Sequence, residues 1–382
     1  MMGEIKSYYT LILIALFSLL KTENSDIYLY YSLNQGANLL SFPLIIDNSN
    51  IDEFFADSNP NLISNDGIQD NIISIISEGE IGININQDWA GSLDQISTQK
   101  GYWLMLDEPM NFLYVSDNLD ENLFFLHPGS NLISFPYNNE ISLNDALPIY
   151  TQDILDAIIG ENESLLIYEN NYYGSLSTFK PGNGYWFIAN DYAIFQYDNV
   201  PQSSLENHSS HSPNNRNSVF NQSMLQSIYF TKSIYLSGNE NIDELFLNIY
   251  CDDILVGQKN WISEFTDLIA MGNDGYEWTL GYCEIGEPIS IRNDSEEQFF
   301  IIEGSNEWLP NNYSLITLSD SDFGDLNFSQ FINIADIIIM VEHIIGTNLF
   351  NNIHQSLLAD INQDEMVNIA DIMINIEIIL SN

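Results

Sequence analysis

The chain has 382 residues, which is too long for one ordinary domain and fits roughly two to four. Hydrophobic residues make up 45% and aromatics 13%, enough to build packed cores, so a wholly disordered chain is excluded. With 8 basic residues against 54 acidic ones the formal net charge is −46, which repels nucleic acid and anionic membranes and suits a medium rich in cations.

The first element is an export signal. Lys6 precedes an apolar run over residues 8–20, and the chain then turns polar at Lys21 to Asn24. About thirteen apolar residues are too short for a bilayer span and right for the core of a signal peptide. Residues 1–24 are therefore expected to be a signal peptide, with an uncleaved anchor as the alternative, and the protein to be extracellular, secreted or surface-attached. No Cys follows the run to take a lipid, and no later stretch is long and apolar enough to span a membrane.

An internal repeat comes next. Gly36-Ala37-Asn38-Leu39-Leu40-Ser41-Phe42-Pro43 returns as Gly129-Ser130-Asn131-Leu132-Ile133-Ser134-Phe135-Pro136. Gly91-Ser92-Leu93 and Gly101-Tyr102-Trp103 return as Gly174-Ser175-Leu176 and Gly184-Tyr185-Trp186. Residues 26–121 and 122–203 thus form two copies of one β-rich module, the first with about ten extra residues around Asn59 to Asp70. Pro43 and Pro136 end the first strand of each, because proline cannot donate to a ladder. Helical pieces are expected over 51–55 and 143–159. Trp103 and Trp186 have two readings: faces that stack on sugar rings, or core strands whose glycine allows close packing.

Residues 204–224 are a polar, low-complexity linker in which His208 and His211 lie three apart, a weak metal signal. Over 225–318 short apolar runs at 229–236, 242–250, 254–257, 289–291 and 299–302 alternate with turns, the pattern of a β-sandwich. Cys251 and Cys283 are the two cysteines, and in an exported protein they are expected to pair. Asp252, Asp253 and Asp274 sit in turns there, as turn residues or as a second calcium site.

The C-terminal stretch repeats at an offset of 35 residues. Asp325, Asn327, Ser329, Asn333 and Asp336 take positions 1, 3, 5, 9 and 12 of one twelve-residue window, and Phe331 offers its carbonyl at position 7. Asp360, Asn362, Asp364, Asn368 and Asp371 take the same positions in the next, with the Met366 carbonyl at position 7. Oxygen donors at this spacing suit Ca²⁺, which takes six to eight oxygens. Apolar residues at helical spacing follow each loop, Gly346 reads as a helix stop, and residues 349–358 suggest a short middle helix. Loop two carries three charged ligands and loop one two, so loop two is expected to bind more tightly. Gln330 and Glu365 stand at position 6, where such loops favour glycine.

The tandem modules resemble a recurring module of secreted bacterial and archaeal surface proteins, which opens with Gly-x-Asn-Leu-Ile-Ser-x-Pro and closes with Gly-x-Gly-Tyr-Trp. Residues 225–318 resemble a β-sandwich module found beside the C-terminal unit in other secreted bacterial proteins. Residues 320–382 resemble a type I dockerin domain. That resemblance implies Ca²⁺ as cofactor and a cohesin-like protein as partner, met through Ile334, Ala335, Ile369 and Ala370 at loop positions 10 and 11. Calcium would supply much of the folding energy, because so small a unit has little core. Dockerin-bearing chains are often polysaccharide-degrading enzymes, so a carbohydrate-binding component or a divergent glycoside hydrolase is the alternative. No nucleophile, phosphate-loop or zinc-protease motif is present, and no catalytic residue is assigned.

The expected fold is multidomain and mainly β: two tandem repeat modules and a β-sandwich, then a small α-helical calcium-binding domain.

Overall fold

Short runs of small and apolar residues around Asn38 and Asn131, buried over most of their length, form the strands Gly36–Ser41 and Gly129–Ser134. Each edges a five-stranded antiparallel sheet. The first sheet continues through Gly101–Leu106, Ile72–Ser77, Glu80–Ile85 and Asp88–Gly91. The second continues through Gly184–Ala189, Leu155–Ile159, Ser164–Tyr168 and Asn171–Tyr173. The computed structural model describes residues 27–44, 49–64, 67–116, 123–198, 208–211, 219–237, 242, 245–350 and 352–381. The expected signal peptide and much of the expected linker lie outside them.

The two sheets match in register. Leu39, Trp103, Ile76 and Ile81 stand abreast in one, Leu132, Trp186, Ile159 and Ser164 in the other. A bulge between Ile72 and Ser74 recurs between Leu155 and Ala157. The stretch from Gly36 to Ile72 is ten residues longer than that from Gly129 to Leu155. The first copy spends that length on the strand Leu62–Ile63 and the 3-10 turn Gln69–Asn71.

The helix expected over 143–159 is two single turns, Leu143–Ala146 and Thr151–Ile154, followed by the strand Leu155–Ile159. Pro148 lies between the turns and has no N–H to continue a helix. Ala157, Ile158 and Ile159 are fully buried, and a short all-apolar run fits a central strand as well as a helix.

The copies clasp each other reciprocally. The Ser41 N–H donates to the Gly182 carbonyl, and the Ser134 N–H donates to the Gln99 carbonyl. Glu161 accepts from the Leu39 N–H, and Glu78 from the Leu132 N–H. Gly101 and Gly184 meet at this seam. A Cβ on Gly184 would lie 2.7 Å from the Leu40 carbonyl oxygen, so only glycine lets the backbones approach this closely.

Part of the expected linker is ordered as backbone. His208–His211 pairs in parallel with Ile27–Leu33, Tyr28 opposite His208 and Tyr31 opposite His211. An edge strand is completed by main-chain hydrogen bonds, which a polar sequence supplies as well as an apolar one.

The third unit departs from a simple two-sheet sandwich. Seven strands form one ladder, in the order Ile254–Asn260, Phe246–Cys251, Ile289–Arg292, Gln298–Glu303, Asn312–Ser319, Gln226–Tyr235 and Thr266–Met271. Gln298–Glu303 is the corner: its first half pairs with Ile289–Arg292 and its second half with Asn312–Ser319. A bulge between Ile301 and Glu303 marks the bend. The ladder curls into a near-barrel, and Gly257 in one edge strand lies against the Ile269 carbonyl of the other. Cys251 and Cys283 are joined by a disulfide, Cα to Cα 5.2 Å.

One apolar core runs through all three units. It includes Leu39, Trp103, Leu132 and Trp186 from the copies and Ile228, Phe230, Ile249 and Leu268 from the near-barrel. The chain ends in three helices, Ile334–Ile344, Ile353–Ala359 and Ile369–Ser381. Their fully buried core is small: Leu326, Met340, Leu358 and Ala359, with Ile302 contributed by the near-barrel. Gly346, at φ 75°, ends the first helix with its N–H on the His343 carbonyl. Among the described residues no helix is long and apolar enough to cross a membrane.

Candidate functional site

Each tail loop is built around two aspartates. Asp325 accepts from the N–H groups of Ser329 (3.0 Å) and Gln330 (2.7 Å), and Asp360 accepts from those of Asp364 (3.0 Å) and Glu365 (2.8 Å). Asp336 accepts from the N–H groups of Leu326, Asn327 and Asn333. Asp371 accepts from Ile361, Asn362 and Asn368 in the same way. The bonds to these four aspartates therefore match at the 35-residue offset. Both take left-handed backbone at positions 4 and 6: Phe328 at φ 57°, Gln330 at 65°, Gln363 at 57° and Glu365 at 67°.

Positions 9 and 12 also start a helix. Asn333 caps Ile334–Ile344 by accepting from the Ala335 N–H, and Asp336 returns a bond to the Asn333 N–H, completing a capping box. Asn368 accepts from the Ala370 N–H likewise.

Asp325, Asp336 and Asp371 are buried, and Asp360 is partly so. Asn327, Ser329, Asn362 and Asp364 are exposed. Burial pushes the Asp325 carboxyl above its ordinary value; the Ser329 and Gln330 N–H groups pull it back, and the Asp336 charge adds to the rise. Gly324 lets this loop sit close against the last helix: a Cβ there would come 2.9 Å from Oδ1 of buried Asn375.

The donors suit a hard cation in kind: carboxylate, amide, hydroxyl and main-chain carbonyl. Among the described residues no three His, Cys, Asp or Glu side chains gather as a metal cluster. Asn333 and Asn368 turn their amide nitrogens to the Phe331 and Met366 carbonyls at position 7.

Beside each loop lies an exposed apolar stripe. Ile334 is 71% exposed and Ile369 69%, and Ala335 and Ala370 flank them. Phe331, Ile338, Val341 and Ile345 extend the first stripe; Met366, Met373 and Leu380 extend the second. The pairs 331 and 366, 334 and 369, 338 and 373, and 345 and 380 are related by the same offset. The residues beyond positions 10 and 11 were not singled out from the sequence as a surface. The available signal was the want of a polar face: a helix apolar on two sides has one side left to cover.

Other sequence candidates do not assemble. Trp103 and Trp186 are buried in the shared core and offer no face to a sugar. Asp274 is taken up by its own turn and by the segment leading into Gln226–Tyr235, accepting from Thr279 in the turn and from the Ser223 hydroxyl and the Met224 N–H in that segment. Asp253 faces Arg292 at 3.6 Å. No family model matches the chain, and no curated protein is similar enough to count as a relative. The likeness to a dockerin therefore rests on the residues alone.

Proposed function

We propose that this is a secreted or cell-surface, non-catalytic protein whose tail, loaded with calcium, docks to a cohesin-type partner. The supporting observation is the duplication of loop and stripe together. Capping alone accounts for Asn and Asp at positions 9 and 12. It gives no reason for Asp at position 1, for left-handed backbone at positions 4 and 6, or for a matching exposed stripe after each loop.

In this reading Asp325, Asn327, Ser329, the Phe331 carbonyl, Asn333 and Asp336 hold one ion. Asp360, Asn362, Asp364, the Met366 carbonyl, Asn368 and Asp371 hold the other. The cation offsets the repulsion between carboxylates that burial sharpens at Asp325 and Asp336. It also replaces the amide contacts that Asn333 and Asn368 make with the position-7 carbonyls. Each bound ion fixes the start of a helix and so presents the stripe that follows. Because the tail core is small, loading contributes folding energy as well as shape.

Calorimetric titration of calcium into the full chain tests the ligand assignment. Saturable binding is expected, with the tighter site lost in Asp360→Ala and the weaker in Asp325→Ala. Binding heats unchanged in both variants would refute it.

A further inference from the structure

We infer that the outer sheet face of the first module, at Ile81, Ile83 and Ile85, is a docking surface for a separate protein that presents an aliphatic or aromatic ridge flanked by lysine or arginine. The duplication supplies the comparison. Ile81, Ile83, Ile85 and Ala90 correspond in register to Ser164, Leu166, Tyr168 and Tyr173 of the second module. In the second module that face is covered by the near-barrel. Phe265 packs on Tyr173 at 4.4 Å and on Tyr168 at 5.3 Å between ring centres. Asp267 accepts from the Ser164 and Ser175 hydroxyls at 3.0 and 2.5 Å. In the first module the same strands are open, with Ile81 36%, Ile83 42% and Ile85 54% exposed.

The open strip continues an existing interface. Ile76, abreast of Ile81, and Leu39 and Trp103, on the same face, already pack in the core shared with the near-barrel. Ser74 on that face shares a hydrogen bond with Tyr276 of the near-barrel at 2.7 Å. A second near-barrel of the same kind is a poor occupant. The hydroxyl of Ser164 and both tyrosine rings are replaced by aliphatic side chains, so Phe265 has no ring to meet and Asp267 keeps only one of its two hydroxyl partners, Ser92 standing where Ser175 does. A second copy of the chain is disfavoured by the net charge of −46 on each molecule. Asp88 stands opposite Ile85 on this face, adding a negative charge to its rim. The geometry thus selects a dry ridge with basic flanks.

The probe is a labelled peptide of alternating leucine and lysine, with a leucine–glutamate peptide as its charge-reversed control. Anisotropy titrations use the full chain. The leucine–lysine peptide is expected to bind, to weaken about tenfold or more in Ile83→Thr with Ile85→Thr, and to weaken again in Ala90→Lys. Threonine keeps the strand preference, and Ala90 is exposed, so at least one of these variants reports on a folded protein. Ile334→Glu with Ile369→Glu removes the tail stripes and is expected to leave the affinity unchanged. Equal binding by wild type and by the Ile83, Ile85 and Ala90 variants, loss of binding in the tail variant, or equal binding of the leucine–glutamate peptide would each overturn the inference.

Discussion

Asp336 and Asp371 do two jobs with one carboxylate each. They close a loop by taking three N–H groups, and they sit at the third position of the helix that follows. This explains why an Asn-x-x-Asp spacing stands out in the sequence and why it does not by itself point to a metal. Position 6 is more telling. Gln330 holds φ 65° without being glycine, which costs about 1 kcal/mol. Gln330→Gly keeps the backbone bond to Asp325 and is expected to raise tail stability by about that much, read by chemical denaturation with a probe in the tail. An unchanged or lower stability would mean that the loop is not strained there. The ligand positions were legible because their spacing is local. The reciprocal contacts of Glu78 and Glu161 were not, because nothing in the spacing of an acid says which distant N–H group it will meet.

At the scale of elements, the tail is tied to the near-barrel through His354 in the short helix Ile353–Ala359. Its ring stacks on Tyr235 at 5.3 Å and meets Phe328 of loop one at 4.9 Å, and its Nε2 bonds Ser319 at 2.8 Å. Burial pushes its pKa below the ordinary 6.5, while nearby Asp320 opposes the shift. The unfolded chain therefore takes up the proton first as pH falls. The stabilising effect of a neutral His354 is present above about pH 6.5 and is lost as pH drops below it. Melting curves at pH 7.5 and pH 5 are expected to show the tail loosening at the lower pH, with a smaller difference in His354→Gln. An equal pH response in that variant would assign the effect elsewhere. The strand Gln226–Tyr235, read from its aromatic and β-branched residues, and the middle tail helix were legible from local pattern. The strand Leu155–Ile159 was not, because four of its five residues are buried and leave no period to read.

Across the whole molecule, two matched sheets, a near-barrel and a helical tail share cores rather than hanging as separate beads. The repeat was plain in sequence because both copies keep the glycines at the seam where they meet. That the seam is reciprocal, and that Trp103 and Trp186 face the near-barrel rather than solvent, depends on contacts far apart in the chain, which no local pattern encodes. The tail stands apart in leaving paired apolar stripes uncovered, and the proposed function turns on what covers them. The most direct measurement is surface plasmon resonance of the full chain over an immobilised type I cohesin, in calcium and then in chelator. Docking is predicted in calcium, lost in chelator, and weakened by at least about a hundredfold in Ile334→Glu with Ile369→Glu. Binding that persists in chelator, or that ignores both isoleucines, would contradict it.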